Sequence, residues 1–152
     1  MDPRLSIRAA ARDDREWAAA LMAGSEPWIT LGRTLDTCRL VCQNPDNLVL
    51  VAWEGRARVG FVILQRRGVA GSPYLATIAV EETARGRGIG SALLCFTEDY
   101  FRSEARHLFL CVSSFNRRAR ALYERHGYVQ VGELPDYFIP GSSEILMLKR
   151  LR

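Results

Sequence analysis

The chain has 152 residues, of which 48% are hydrophobic and 25% charged, and a formal net charge of +4. That length suits one domain with a substantial core, and no apolar run approaches the ~20 residues of a membrane span. The positive charge is nearly all arginine, scattered rather than clustered with aromatics, which argues against a nucleic-acid surface.

Residues 1–152 read as a single domain, without internal repeats, low-complexity tracts or linkers. The start, Met1 to Arg4, lacks a basic-then-apolar leader. Cys38, Cys42, Cys95 and Cys111 contain no Cys-x-x-Cys pair, so the reading is reduced thiols in a cytoplasmic protein with no metal site. Leu5 to Ala9 alternates as a first strand. Asp13 to Met22 reads as a helix with Trp17, Leu21 and alanines inward, broken at Gly24 to Trp28. Thr34 caps a second short helix through Cys42, and Asn44, Pro45 and Asp46 end it. Leu48 to Trp53 and Ala57 to Leu64 flank Glu54, Gly55 and Arg56 as a hairpin. A polar loop is predicted from Arg66 to Pro73, leading to a central strand over Tyr74 to Val80. Ser91 to Phe101 is helical, with Leu93, Leu94, Thr97, Tyr100 and Phe101 on one face. Leu108 to Val112 is the next strand. Asn116 caps a helix that Gly127 stops, and Tyr128 to Leu134 and Ile145 to Lys149 are the last strands. The order β-α-α-β-β-β-α-β-α-β-β predicts a mixed α/β, mostly antiparallel sheet with helices on both faces.

The segment between the central strand and the next helix carries the most information. Arg85, Gly86, Arg87, Gly88, Ile89 and Gly90 join a strand to a helix start. Glycines allow close backbone approach, free amides at a helix N-terminus point at an anion, and two arginines add charge. This is a pyrophosphate cradle. The dinucleotide-binding spacing G-x-G-x-x-G does not fit, because the glycines fall at 86, 88 and 90. A nucleotide-triphosphate loop does not fit either, because the only lysine is Lys149. Arg85-x-x-Gly88-x-Gly90 does fit the signature of the Gcn5-related N-acetyltransferase family. A second segment, Asn116 through Ala119, Leu122 and Tyr123 to Gly127 and Tyr128, is similar to that family's N-x-x-A-x-x-L-Y-x-x-x-G-[FY] stretch, in the same order. It most resembles the ribosomal-protein alanine N-acetyltransferase branch. That branch carries a glutamate in the fifth strand where this chain has Cys111.

The resemblance implies a single acyltransferase domain using acetyl-coenzyme A. Ile78, Ala79 and Val80 would pair with the pantetheine arm as if it were an added strand, with a bulge in that strand opening the wedge. Arg85, Gly86, Arg87, Gly88, Ile89, Gly90 and Ser91 would hold the pyrophosphate. Asn116, Ala119, Leu122 and Tyr123 would complete the coenzyme site. The chemistry implied is direct attack in a ternary complex, with no acyl-enzyme, so Cys111 is not read as a nucleophile. Tyr123 would be the general acid, because a phenol is protonated at neutral pH and can protonate a departing thiolate. The Val80 amide would stabilise the oxyanion. No base is evident, and Glu26 in the first loop is the outside candidate. Glu26 and Trp28 would face Asp136, Tyr137 and Phe138 across an acceptor pocket suited to a cationic amine. The expected partner is a small-molecule or peptide amine rather than nucleic acid or membrane, and the family allows a homodimer. A non-catalytic acyl-coenzyme A sensor is the rival reading.

Overall fold

The computed structural model describes residues 4–152, so Met1, Asp2 and Pro3 lie outside the described residues. Seven strands and four α-helices follow in the predicted order among them: β1 Leu5–Ala9, α1 Arg12–Ala23, α2 Leu35–Gln43, β2 Leu48–Glu54, β3 Ala57–Val69, β4 Ser72–Val80, α3 Ile89–Arg102, β5 His107–Ser113, α4 Arg117–Arg125, β6 Val129–Leu134 and β7 Glu144–Arg150. The sheet order is β1-β2-β3-β4-β5-β7-β6, and every neighbouring pair is antiparallel except β4 with β5.

Strand alternation divides the apolar residues between the two faces of this sheet. Val49, Val51, Phe61, Ile63 and Ala79 pack under α1 and α2, against Ala18, Ala19, Met22, Cys38 and Cys42. Leu50, Val62, Leu64, Leu75, Leu108 and Leu110 pack on the opposite face against Leu93, Leu94, Phe101 and Tyr123 of α3 and α4. Each helix start has a local cause. Asp14 accepts from the Ala11 amide at 2.8 Å at the head of α1, and Thr34 accepts from the Thr37 amide at 3.2 Å at the head of α2. The same Asp14 carboxylate holds Arg58 at 2.8 Å, which ties α1 to β3.

One expectation is corrected. Arg66 to Pro73 is not a polar loop, because β3 and β4 extend through it and meet at a turn over Ala70 and Gly71. Both turn residues have positive φ, 49° and 81°, the mirror-image geometry that suits the twist of a two-residue hairpin. The exposed arginines at 66 and 67 mark a solvent-facing strand end, where Arg66 lies over the Tyr100 ring of α3 at 5.4 Å, a pattern that polarity alone cannot separate from a loop.

Candidate active site

The site begins with a fault in β4. Leu64 pairs with Leu75 but Ile63 pairs with Thr77, so Ala76 is an extra residue, a β-bulge. The bulge inverts the alternation: Leu75 belongs to the α3/α4 core, yet so do Ile78 and Val80, while Ala79 turns to the α1/α2 core. The parallel seam with β5 stops there, since only Tyr74 and Leu75 find partners, Phe109 and Leu110. Beyond Ala76 no strand pairs with the β5-facing edge of β4, and the Val80 carbonyl at its end accepts from the Arg85 guanidinium at 3.3 Å. A cleft of about 580 Å³ occupies the gap and reaches both faces of the sheet.

On the α3 side the cleft is lined by Ile78, Ala79, Val80, Arg85, Gly86, Gly88, Ile89, Gly90 and Ser91. Gly86 and Gly88 have φ of 77° and 80°, a conformation that L side chains rarely adopt. Gly88 is the N-cap of α3, and the first helical bond runs from the Ala92 amide to its carbonyl at 3.0 Å. The amides of Ile89, Gly90 and Ser91 therefore have no partner within the helix, and no acidic residue sits in the first turn. Gly60 lets this helix end sit low. A Cβ there would lie 2.9 Å from the Ala79 carbonyl oxygen and 3.3 Å from Ile89. A side chain is thus excluded where α3 crosses β3, and the free amides are held over the open seam. This arrangement of glycine turn, unpaired strand edge and helix N-terminus fits an acyl-coenzyme A, with an anion at the turn and an amide-rich arm along β4.

Asn116, Ala119, Leu122 and Tyr123 of α4 line the same cleft. Asn116 caps the helix, its Oδ1 accepting from the Ala119 amide at 3.4 Å. Tyr123 is 4% exposed and stands edge-on to Tyr128, with ring centroids 6.1 Å apart. Burial pushes its phenol well above the ordinary value, so it is a proton donor throughout the neutral range. His126, just past α4, places Nε2 3.0 Å from the Ser91 hydroxyl and joins the two helix ends that border the cleft.

The acceptor side differs from expectation. Glu26, Trp28 and Phe138 line the cleft, but Asp136 and Tyr137 do not. Asp136 adopts φ 50° and accepts from the Gly141 amide at 2.6 Å, closing its own loop, and Tyr137 is 58% exposed. Arg87 also leaves the cleft, because its guanidinium reaches back to Glu54 at 2.9 Å. The Glu26 carboxylate turns to Thr30, accepting from that residue's amide at 2.7 Å and from its hydroxyl.

Four lining residues carry chemistry that was not legible in the sequence: Arg33, Tyr74, Ser113 and Glu144. Arg33 stacks over Phe138 at 4.8 Å. Glu144 is 7% exposed, and its Oε2 accepts from the Ser113 hydroxyl at 2.6 Å. Burial raises this carboxyl above its ordinary value, while the Ser113 hydrogen bond and the Arg33 charge pull the other way. Burial raises both the Tyr74 phenol and the half-buried Cys111 thiol above their ordinary values. The only sequence signal for Glu144 was an acid standing immediately before an apolar strand.

Comparison with known proteins identifies the family and the fold. Residues 10–128 match the acetyltransferase (GNAT) family. The N-alpha-acetyltransferase RimI of Mycobacterium tuberculosis is 29% identical over 146 residues, covering 94% of this chain and 87% of that one. An uncharacterised N-acetyltransferase of Methanocaldococcus jannaschii is 38% identical over 82 residues, 53% of each chain. Among solved structures, the ribosomal-protein-S18-alanine N-acetyltransferase from Escherichia coli superposes with a TM-score of 0.78 at 24% identity, over 97% of this chain and 94% of that one.

Proposed function

The chain belongs to the acetyltransferase (GNAT) family, whose members take their acyl group from acetyl-coenzyme A, and on that premise we propose that it acetylates a primary amine by direct attack in a ternary complex. The observation that carries the reading is the opened β4–β5 seam, which ends on the Gly86–Gly88 turn with Tyr123 on its wall. Acetyl-coenzyme A supplies the thioester that the amine attacks. The open edge of Ile78 to Val80 holds the arm, and the amides from Gly88 to Ser91, with Arg85, hold the phosphates. The Val80 amide stabilises the negative charge that develops on the acyl oxygen. Tyr123 keeps its proton until sulfur departs and then gives it up. Arg118 and Arg125 on α4 also line the cleft and add positive charge for the coenzyme. Glu26 and Trp28 at the mouth, with Phe138, offer a cationic amine an acid beside apolar surface. The free thiols of all four cysteines suit a cytoplasmic setting.

A second, narrower reading makes the acceptor the α-amine of a peptide. It is favoured by the similarity to the mycobacterial N-alpha-acetyltransferase over most of this chain. The two are separated by following thiol release from acetyl-coenzyme A with small amines, including spermidine, and with short peptides bearing a free N-terminal alanine. Turnover of peptides alone selects the narrower reading, and turnover of small amines alone removes it. Coenzyme binding with no turnover of either would leave a sensor in place of an enzyme.

A further inference from the structure

We propose that Glu144 is the general base that deprotonates the acceptor amine, a role that rests on the acetyltransferase reading above. The fifth strand offers no carboxylate to the cleft, because its inward position there is Cys111. The neighbouring strand supplies one. In the β5–β7 ladder Ser113 pairs with Glu144, Val112 with Ile145 and Cys111 with Leu146. Val112 and Ile145 face the α3/α4 core. Ser113, Glu144 and Cys111 therefore share the opposite face, on the acceptor side of the open seam. Glu144 is buried and lines the cleft, and among the described residues it forms no ion pair within 4.0 Å. Ser113 fixes one carboxylate oxygen, Oε2, and the other has no hydrogen-bond partner from the protein. An oriented, desolvated carboxylate with one free oxygen is what proton abstraction from an ammonium group requires. Glu26 is less suited, because both of its oxygens are engaged by Thr30.

The proton balance closes with Glu144, Tyr123 and solvent. The ammonium gives one proton to Glu144, and the neutral nitrogen bonds the acyl carbon. The carbon–sulfur bond breaks, sulfur takes the Tyr123 proton, and the nitrogen's surplus proton returns to the Tyr123 oxygen. Glu144 then releases its proton to solvent. The groups facing Glu144 are Ser113 and Cys111 on β5, Tyr74 on β4 and Arg33 from the loop between α1 and α2.

The test is thiol release from acetyl-coenzyme A across pH, with the acceptor that the wild type turns over, spermidine or a short alanine-N-terminal peptide, and, separately, with water alone. Glu144→Gln is expected to lower kcat about 100-fold near pH 7 and leave the KM for acetyl-coenzyme A unchanged. The deficit should shrink as pH rises through the acceptor amine's own value, about 8 for a peptide α-amine. Ser113→Ala keeps the carboxylate but removes the donor that favours its ionised form, so the acidic limb of kcat should move to higher pH. That shift carries the test if Glu144→Gln does not fold. A uniform loss at every pH in both variants, or a Glu144→Gln kcat within about threefold of wild type, overturns the assignment. Wild-type protein that binds acetyl-coenzyme A but releases thiol with neither small amines nor peptides would sink the transfer reading, and the base with it.

Discussion

Tyr123 and Gly88 carry opposite kinds of information at the scale of the residue. Tyr123 is a buried phenol whose surroundings favour the protonated form. Tyr123→Phe keeps the ring packed on Tyr128 and removes only the acid, so kcat should fall about 100-fold with little change in coenzyme affinity. Steady-state kinetics paired with calorimetry would reveal an equal loss of both, which would make Tyr123 a packing residue. Gly88 sits at φ 80° with open space where its Cβ would be. Gly88→Glu combines left-handed strain, roughly 1–2 kcal/mol, with a negative charge at the proposed phosphate site, and should abolish coenzyme binding in a titration. The cysteines separate by burial. Cys42 is pushed up to about 12 by desolvation, whereas Cys95 is exposed. Iodoacetamide at pH 8 should therefore modify Cys95 first and leave Cys42 unmodified until the fold opens.

The elements were largely legible because each was marked twice, by periodicity and by a cap or breaker. Thr34, Asn116 and the Gly55 turn mark three such boundaries, and all three fall where expected. Two features were not legible. The β3–β4 extension was hidden because an uncovered strand end and a polar loop have the same composition. The acceptor wall was hidden because Glu144 and Arg33 gain meaning only when distant segments meet, and no local pattern marks a buried carboxylate. A bulge in β4 was expected from the family resemblance, at no particular residue, and the ladder has it at Ala76. Deleting Ala76 would make the β3–β4 ladder continuous while leaving Ile78 and Val80 on their present face, because Leu75 and Thr77 already pair with the adjacent Leu64 and Ile63. The bend that parts β4 from β5 would be lost, and acetyl-coenzyme A binding, read by calorimetry, should be lost with it. Gly60→Ala tests the seating of α3 at a residue that does not itself line the cleft. Its Cβ would crowd the Ala79 carbonyl oxygen at 2.9 Å, so stability should fall by about 1–3 kcal/mol in urea and coenzyme affinity should fall with it.

Across the whole molecule, one sheet carries two apolar cores on opposite faces, and the cleft lies where the sheet is left unjoined. The cores hold the open edge in place, and the partly buried Glu98–Lys149 pair at 2.6 Å braces α3 against β7 behind it. A ligand that completes the edge binds only the folded state, so acetyl-coenzyme A should raise Tm, by the equivalent of about 2.7 kcal/mol at a hundredfold excess over Kd. The central claim is that the glycine turn and the α3 N-terminus hold the coenzyme's phosphates. Calorimetric titration with acetyl-coenzyme A, repeated with S-acetylpantetheine lacking the nucleotide portion, tests it most directly. The account predicts binding of the full coenzyme and at least about tenfold weaker binding of the truncated thioester, a difference of about 1.4 kcal/mol. Equal affinity for the two, or no binding of the full coenzyme, would contradict it.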